Sequence, residues 1–295
     1  MYPCLIVILG PTAVGKTKLS IELAQAFHSH IISTDSRQFY KEMEIGTATP
    51  SKAELAVVPH HFIHNRSVSE YYSAGDFEKE SKILLKKLFQ NGLNPVFATG
   101  GSGLYVKAIC EGLDEVPNAD LDLRKSLISN YELYGLPWLK NELESIKPEA
   151  LLTIDTQNPQ RLMRAIELAK QGGIMKEKTK PFYKVIKIGL EREREELYHR
   201  INQRVDEMIE SGLIEEVKSL IPFRNVNALQ TVGYAEVFEY LDGSIDLARA
   251  IELIKQHSRN YAKKQLTWFR KDPEINWFAA DNMKDILGFI QNQLK

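Results

Sequence analysis

Residues Cys4 to Thr17 constrain this chain more than any other stretch. The run Cys4-Leu5-Ile6-Val7-Ile8-Leu9 is apolar and rich in β-branched residues, the composition of a strand buried on both faces. It leads into Gly10-Pro11-Thr12-Ala13-Val14-Gly15-Lys16-Thr17, the G-x-x-x-x-G-K-T pattern of a phosphate-binding P-loop. Leu19, Leu23, Ala24 and Phe27 then recur at helical spacing. Strand, loop and helix stand in the order an anion cradle requires. Gly10 and Gly15 let the backbone turn and come close to a phosphate, while the loop N–H groups and the helix N-terminus present positive partial charge. Lys16 adds a full charge, and Thr17 offers a hydroxyl to a magnesium ion shared with the phosphates. The pattern predicts an α/β chain, a P-loop NTPase-like parallel sheet flanked by helices. Its ligand carries a diphosphate or polyphosphate and need not be a nucleotide.

At 295 residues the chain has room for one large domain or two ordinary ones, and 43% hydrophobic residues supply a core. The two cysteines, Cys4 and Cys110, form neither a disulfide framework nor a zinc finger. The N-terminal apolar run leads straight into the P-loop rather than to a signal cleavage site, and no run approaches the roughly 20 apolar residues of a membrane span. A cytoplasmic protein, with no membrane partner, is expected. A net charge of −1 gives no global case for nucleic-acid binding, so any such site is a local patch.

Ile31 to Thr34 reads as a second strand with Asp35 at its C-terminal end. Ligands of open α/β sheets bind beyond the carboxyl ends of strands, which lets Asp35 face the P-loop ligand. A turn aspartate is the local alternative. His60, His61 and His64 lack a nearby cysteine or carboxylate to complete a metal set and read as a loop cluster. Phe77, Ser81, Leu84, Leu85 and Leu88 mark an amphipathic helix closed by Asn91-Gly92. Pro95 to Thr99 is a third strand, followed by Gly100-Gly101-Ser102-Gly103, a second close-approach loop at the same sheet edge. Ser102 either binds a ligand or caps the next helix.

From Pro117 to Lys180 helical periodicity runs on without a strand, so residues 117–183 are read as a helical insertion between core segments 1–116 and 184–295. Asn158-Pro159 starts a helix inside it. Arg161 to Lys187 holds eight lysines or arginines against Glu167 and Glu177, a balance of +6. Val185 to Leu190 resumes the strand pattern, and Leu197, Ile201, Val205 and Met208 mark a helix. Thr231 to Tyr234 is a short loop before another helix, and Leu247 to Trp268 traces one long helix. Within that helix and its end, Lys255 to Lys271 holds six lysines or arginines and no acid, with Tyr261, Trp268 and Phe269 interleaved. Both basic runs suit RNA, and both also suit an ordinary solvated face.

The P-loop, Asp35-Ser36-Arg37-Gln38-Phe39-Tyr40, Ile45-Gly46-Thr47-Ala48, Pro59-His60-His61 and Gly100 to Tyr105 occur in the order seen in one family. Asn158-Pro159-Gln160-Arg161-Leu162-Met163-Arg164-Ala165, Val232-Gly233-Tyr234, and Arg259 through Gln265 to Phe269 continue that order. Together they resemble, over nearly the whole chain, the bacterial-type tRNA dimethylallyltransferases (isopentenylpyrophosphate:tRNA transferases). The resemblance implies transfer of a dimethylallyl group from dimethylallyl diphosphate to the exocyclic amine of the adenosine just 3′ of the anticodon. It implies that Gly10 to Thr17 and Arg259 hold the diphosphate, with Mg2+ on Thr17. It makes Asp35 the general base, with Lys16 and Ser102 beside it in catalysis. It assigns tRNA contacts to Asp35, Ser36, Arg37, Gln38, Ser102, Arg124, Gln160, Arg161, Leu162, Met163 and Arg164. The partners implied are the tRNA anticodon stem-loop and dimethylallyl diphosphate, with the enzyme a monomer. Ser102 stands where the family more often has threonine, Lys264 where it has arginine, and Gly172-Gly173-Ile174-Met175 where a Gly-Lys-Thr turn is usual. Two other enzyme classes share parts of the pattern, a P-loop kinase and an isopentenyltransferase acting on free AMP or ADP, as does an RNA-binding module without activity.

Overall fold

A computed structural model describes residues 2–114, 116–117, 119–172 and 181–295. The chain divides into two compact units, Met1–Gly112 with Lys180–Lys295, and Leu113–Thr179. The boundaries expected from composition lie four residues away from these.

The larger unit is built on a six-stranded, all-parallel sheet of order β3-β2-β4-β1-β5-β6. The strands are β1 (Cys4–Leu9), β2 (Ile31–Ser33), β3 (His60–His61), β4 (Val96–Thr99), β5 (Lys184–Glu191) and β6 (Ile275–Ala279). β1 is central and buried at every position, which is what its unbroken apolar run requires. It pairs with β4 through Leu5↔Val96 and with β5 through Leu5↔Val185. His60-His61 is an edge strand rather than the expected loop. Paired to Ile31 and Ile32, it brings His61 Nε2 to 3.0 Å from His30 Nδ1. Two residues are too few to show the alternation by which a strand is recognised.

Helices of this unit are α1 (Lys16–Ala26), α2 (Lys52–Val57), α3 (Ala74–Gln90) and α4 (Gly103–Glu111), then α7 (Arg194–Glu210), α8 (Leu213–Ser219), α9 (Tyr234–Leu241), α10 (Leu247–Phe269) and α11 (Met283–Leu294). α3 is closed at its start by a reciprocal Ser73–Asp76 capping box and at its end by Asn91 before Gly92, where φ is +84°. One core gathers Ile6, Ile8, Leu23, Phe97, Ile188 and Ile201 around the sheet. A second joins Met43, Val205, Leu213, Tyr234, Val237 and Ile254, where α7 to α10 pack on the loop after β2.

The smaller unit holds α5 (Leu121–Ile146) and α6 (Pro159–Lys170). Gly135, at φ 71° and ψ −168°, breaks α5 into two pieces ahead of Pro137, which explains why the leucine spacing jumps between Leu127 and Leu139. Leu127, Leu139, Leu143, Leu162, Met163 and Ile166 form its core. Asn158 caps α6 through Gln160 and Arg161 N–H, with Pro159 in the first turn. Gly173, Ile174 and Met175, together with Lys176, Glu177, Lys178 and Lys180 of the first basic run, lie outside the described residues. Among the described residues no helix is long and apolar enough to cross a membrane.

Candidate active site

The neighbouring strands β1, β4 and β2 end together, so Gly10 to Thr17, Gly100 to Ser102 and Asp35 converge at one sheet edge. Lys16 Nζ donates to the carbonyls of Gly10 and Pro11 at 3.0 and 2.8 Å, curling the ammonium over the loop. Burial pulls its pKa down to about 7, a change that Arg204 adds to and Asp35 opposes. Ser102 heads α4 without capping it. Its Oγ instead accepts from Ser36 N–H at 3.0 Å and contacts Ser36 Oγ at 3.1 Å, joining the second glycine loop to the Asp35 segment. Asp35 makes the local turn foreseen for it, Oδ1 accepting from Arg37 N–H at 2.9 Å, and also lines the cavity described below.

The P-loop is braced by residues far away in sequence. Gln265 of α10 accepts from Thr12 N–H at 2.8 Å and donates to Gly101 O at 3.0 Å, so one buried amide ties both glycine loops together. A Cβ on residue 101 would meet that amide, which is why glycine stands there. Arg204 of α7 reaches Thr12 Oγ1 at 3.2 Å, Arg200 donates to Ala13 O at 2.8 Å, and Arg192 donates to Val14 O at 2.9 Å. The Tyr261 hydroxyl lies against Ser102 and Gln265. Burial pushes that phenol up to about 12, with Asp35 adding to the effect.

Two cavities open here. One of about 300 Å³ is lined by Ala13, Gly15, Lys16, Thr17, Lys18, Glu54, Arg200, Gln203, Arg204 and Glu207. The other, about 690 Å³, has a polar side of Thr12, Asp35, Ser36, Arg37 and Arg204 and an apolar side that includes Ile201, Val205, Met208 and Ile254. Arg204 lines both. The outer part of the larger cavity carries His257, whose Nδ1 lies 2.6 Å from Oε1 of buried Glu236, itself capping Gly233 N–H at 2.7 Å.

Several residues expected at the site lie away from the two cavities or have partners within the protein. Arg259 lines neither cavity and its guanidinium is held by Asn202 at 2.6 Å; the arginines on the P-loop are Arg204, Arg200 and Arg192. Gln38 is engaged within the protein, its Oε1 accepting from Ser33 Oγ and its amide pointing to Thr47 and Ala48 carbonyls. Leu162 and Met163 are buried in the smaller unit's core, leaving Gln160 and Arg161 as the exposed side chains of that segment. Glu167, fully buried, binds Arg124 at 2.8 Å and Arg164 at 2.9 Å, and Arg164 also donates to Pro117 O at 2.6 Å. No local signal marks Arg204, and the motif that contains Gln265 does not reveal its partners, because their contacts span 192 and 253 residues.

The chain is similar to known proteins over most of its length. The IPP transferase family model matches residues 38–272. The chain is 50% identical to the tRNA dimethylallyltransferase of Christiangramia forsetii, covering 98% of each chain, and 46% identical to tRNA dimethylallyltransferase 1 of Bacteroides fragilis, covering 99% of this chain and 98% of that one. It superposes on the tRNA isopentenylpyrophosphate transferase of Bacillus halodurans with a TM-score of 0.73 at 39% identity, over 98% of this chain and 96% of that one. A eukaryotic dimethylallyltransferase acting on tRNA gives a TM-score of 0.74 at 25% identity, over 96% of this chain and 75% of that one. The chain therefore belongs to the IPP transferase family.

Proposed function

We propose that the chain transfers the dimethylallyl group of dimethylallyl diphosphate to the N6 amine of the adenosine 3′-adjacent to the anticodon of tRNA. The observation that carries the reading is Arg204, which lines both the P-loop cavity and the cavity holding Asp35. An anion in the first thus adjoins a nucleophile in the second. The adenine N6 lone pair attacks C1 of the prenyl group, the C1–O bond breaks toward diphosphate, and the N6 proton passes to the Asp35 carboxylate. Lys16, Arg204 and the loop N–H groups receive the charge that grows on the departing diphosphate. Ile201, Val205, Met208 and Ile254 give the five-carbon chain an apolar wall. The target base leaves its stack to enter, at a cost of a few kcal/mol.

The Thr17 hydroxyl shares its cavity with the Glu54 and Glu207 carboxylates, a hard-oxygen set that suits magnesium. Thr17 would hold the ion, which when bound would neutralise charge on the diphosphate. Ser102 and Ser36 form a polar lip beside Asp35 for the adenosine, and exposed Gln160 and Arg161 of the smaller unit contact tRNA.

Incubation with labelled dimethylallyl diphosphate and either tRNA or AMP, followed by nuclease digestion and mass spectrometry, tests the reading. Label on N6 of a single tRNA adenosine is expected. Label on AMP alone, or γ-phosphate transfer from ATP, overturns it. Lys16→Ala should lower the rate by about 10²–10³-fold, and Asp35→Asn by about 10²–10⁴-fold with binding little changed.

A further inference from the structure

Glu216 of α8 is a carboxylate with four donors. Its Oε2 accepts from the N–H groups of Glu44 and Ile45 at 3.0 and 2.7 Å, and its Oε1 from Gly46 N–H at 3.0 Å and the Tyr234 hydroxyl at 2.6 Å. Tyr234 is fully buried, and a Cβ on Gly46 would strike its ring, so loop and ring are pressed together. Burial and the neighbouring carboxylate push the phenol's pKa up, which keeps it a donor. The pinned loop continues as Thr47 and Ala48, which line the larger cavity. Their carbonyls accept from the Gln38 amide at 3.4 and 3.3 Å. Gln38 Oε1 in turn accepts from Ser33 Oγ at 3.0 Å, and Ser33 Oγ accepts from Asp35 N–H at 3.3 Å. The hydrogen bonds thus run without a gap from α8 to the backbone of Asp35.

We propose that Glu216 is a positioning residue for the reaction: through the 44–48 loop and Gln38 it sets the cavity wall and the placement of the Asp35 carboxylate. The inference rests on reading Asp35 as the base. The physical reason is that a reacting group displaced by about 1 Å can lose 10²-fold in rate. Three consecutive N–H groups on one carboxylate hold loop 44–46 in one arrangement, since any other gives up charge-assisted bonds, two of them partly shielded from solvent. The P-loop takes no part in this network, so binding of the diphosphate should be independent of it.

Glu216→Gln replaces acceptors by an N–H₂ that faces donors, and Tyr234→Phe removes one donor while keeping the ring under Gly46. Single-turnover transfer at saturating substrates, the dissociation constants for dimethylallyl diphosphate and tRNA, and the thermal midpoint are measured for both and for the unmutated protein. For Glu216→Gln we expect transfer to fall by about 10²-fold. Both dissociation constants should stay within about twofold, since neither ligand is assigned to Glu216. Tyr234→Phe should lose only a few-fold, because three donors remain. Transfer by Glu216→Gln within threefold of the unmutated rate overturns the inference. So does a rate loss matched by equal loss of diphosphate affinity, which marks a role in the fold alone. If Glu216→Gln does not fold, an unchanged rate in Tyr234→Phe overturns it. Absence of transfer by the unmutated protein fails the function reading itself.

Discussion

Two stretches of this chain carry the same local charge, +6 from Arg161 to Lys187 and +6 from Lys255 to Lys271, and the fold uses them differently. In the first, Arg164 is committed to buried Glu167, Lys170 to Glu142 at 2.6 Å, and Lys187 to Asp272 at 2.6 Å and Glu274 at 2.9 Å. The run also divides between the two units, so it does not belong to a single element. In the second, Lys255 is paired with Asp206 at 2.6 Å and Lys263 sits 5.9 Å from the Tyr198 ring centroid, while Lys264 and Lys271 are exposed beside the half-exposed Trp268. A charge count along the sequence measures neither burial nor pairing. Among the described residues, the same number covers cations committed to ion pairs in one place and exposed lysines beside an aromatic side chain in the other.

The largest expected effect separates scaffold from surface within one helix. Arg164→Glu would set a second carboxylate against Glu167, which has no exposed surface, and breaking a buried pair costs about 3–5 kcal/mol. Arg161→Glu changes an exposed side chain and should stay within about 0.5 kcal/mol. Hydrogen exchange across residues 121–170 reads this locally, and about 3 kcal/mol corresponds to roughly a hundredfold faster opening in Arg164→Glu alone. Equal protection in the two variants would return both arginines to the surface class.

What the sequence made legible follows the same division between local and distant. The P-loop, the second glycine loop and the strand-end position of Asp35 are contiguous patterns, and the parallel sheet brings their ends together by topology alone. Asn158 and Ser73 are caps whose partners lie within three residues, so they too could be read. The arginines that grip the P-loop are invisible locally. Arg200 and Arg204 sit one position from the apolar stripe of Ile201 and Val205 and look like any solvated helix charge. Gln265 is an amide among lysines until the fold buries it. Arg259 fits a motif but its neighbour in space is Asn202. Leu162 and Met163 fall inside a motif associated with tRNA, yet α6 needs those positions for its core.

A second comparison sets a buried cation against exposed ones. Burial holds Lys16 down to about 7, with Arg204 contributing, so above pH 7 the free protein carries it largely neutral. A bound diphosphate raises the lysine's pKa, so binding takes up a proton and weakens as pH rises past 7. The slope should approach about tenfold in affinity per pH unit, for one linked proton. Calorimetry at pH 8 in two buffers of different ionisation enthalpy measures the proton directly. Uptake near zero would mean that Lys16 is already charged before the ligand arrives, and that its contacts to the Gly10 and Pro11 carbonyls outweigh burial.

The smallest effect tests the outward face itself. Lys264→Glu with Lys271→Glu reverses two exposed charges that make no ion pair among the described residues, so stability should change by less than about 0.5 kcal/mol per site. If this face meets tRNA phosphates, each phosphate no longer engaged lowers the slope of log affinity against log salt by about 0.7 on single strands or 0.9 on duplex. The double variant should therefore bind tRNA several-fold more weakly at low salt and converge on the unmutated protein as salt rises. Diphosphate affinity should not move, because neither lysine lines the P-loop cavity. Titrations at three salt concentrations suffice. A parallel drop at every salt concentration would signal damage to shape or stacking at Trp268 rather than missing charge. No change at all would place the RNA on another face and leave Lys264 and Lys271 as ordinary solvated lysines.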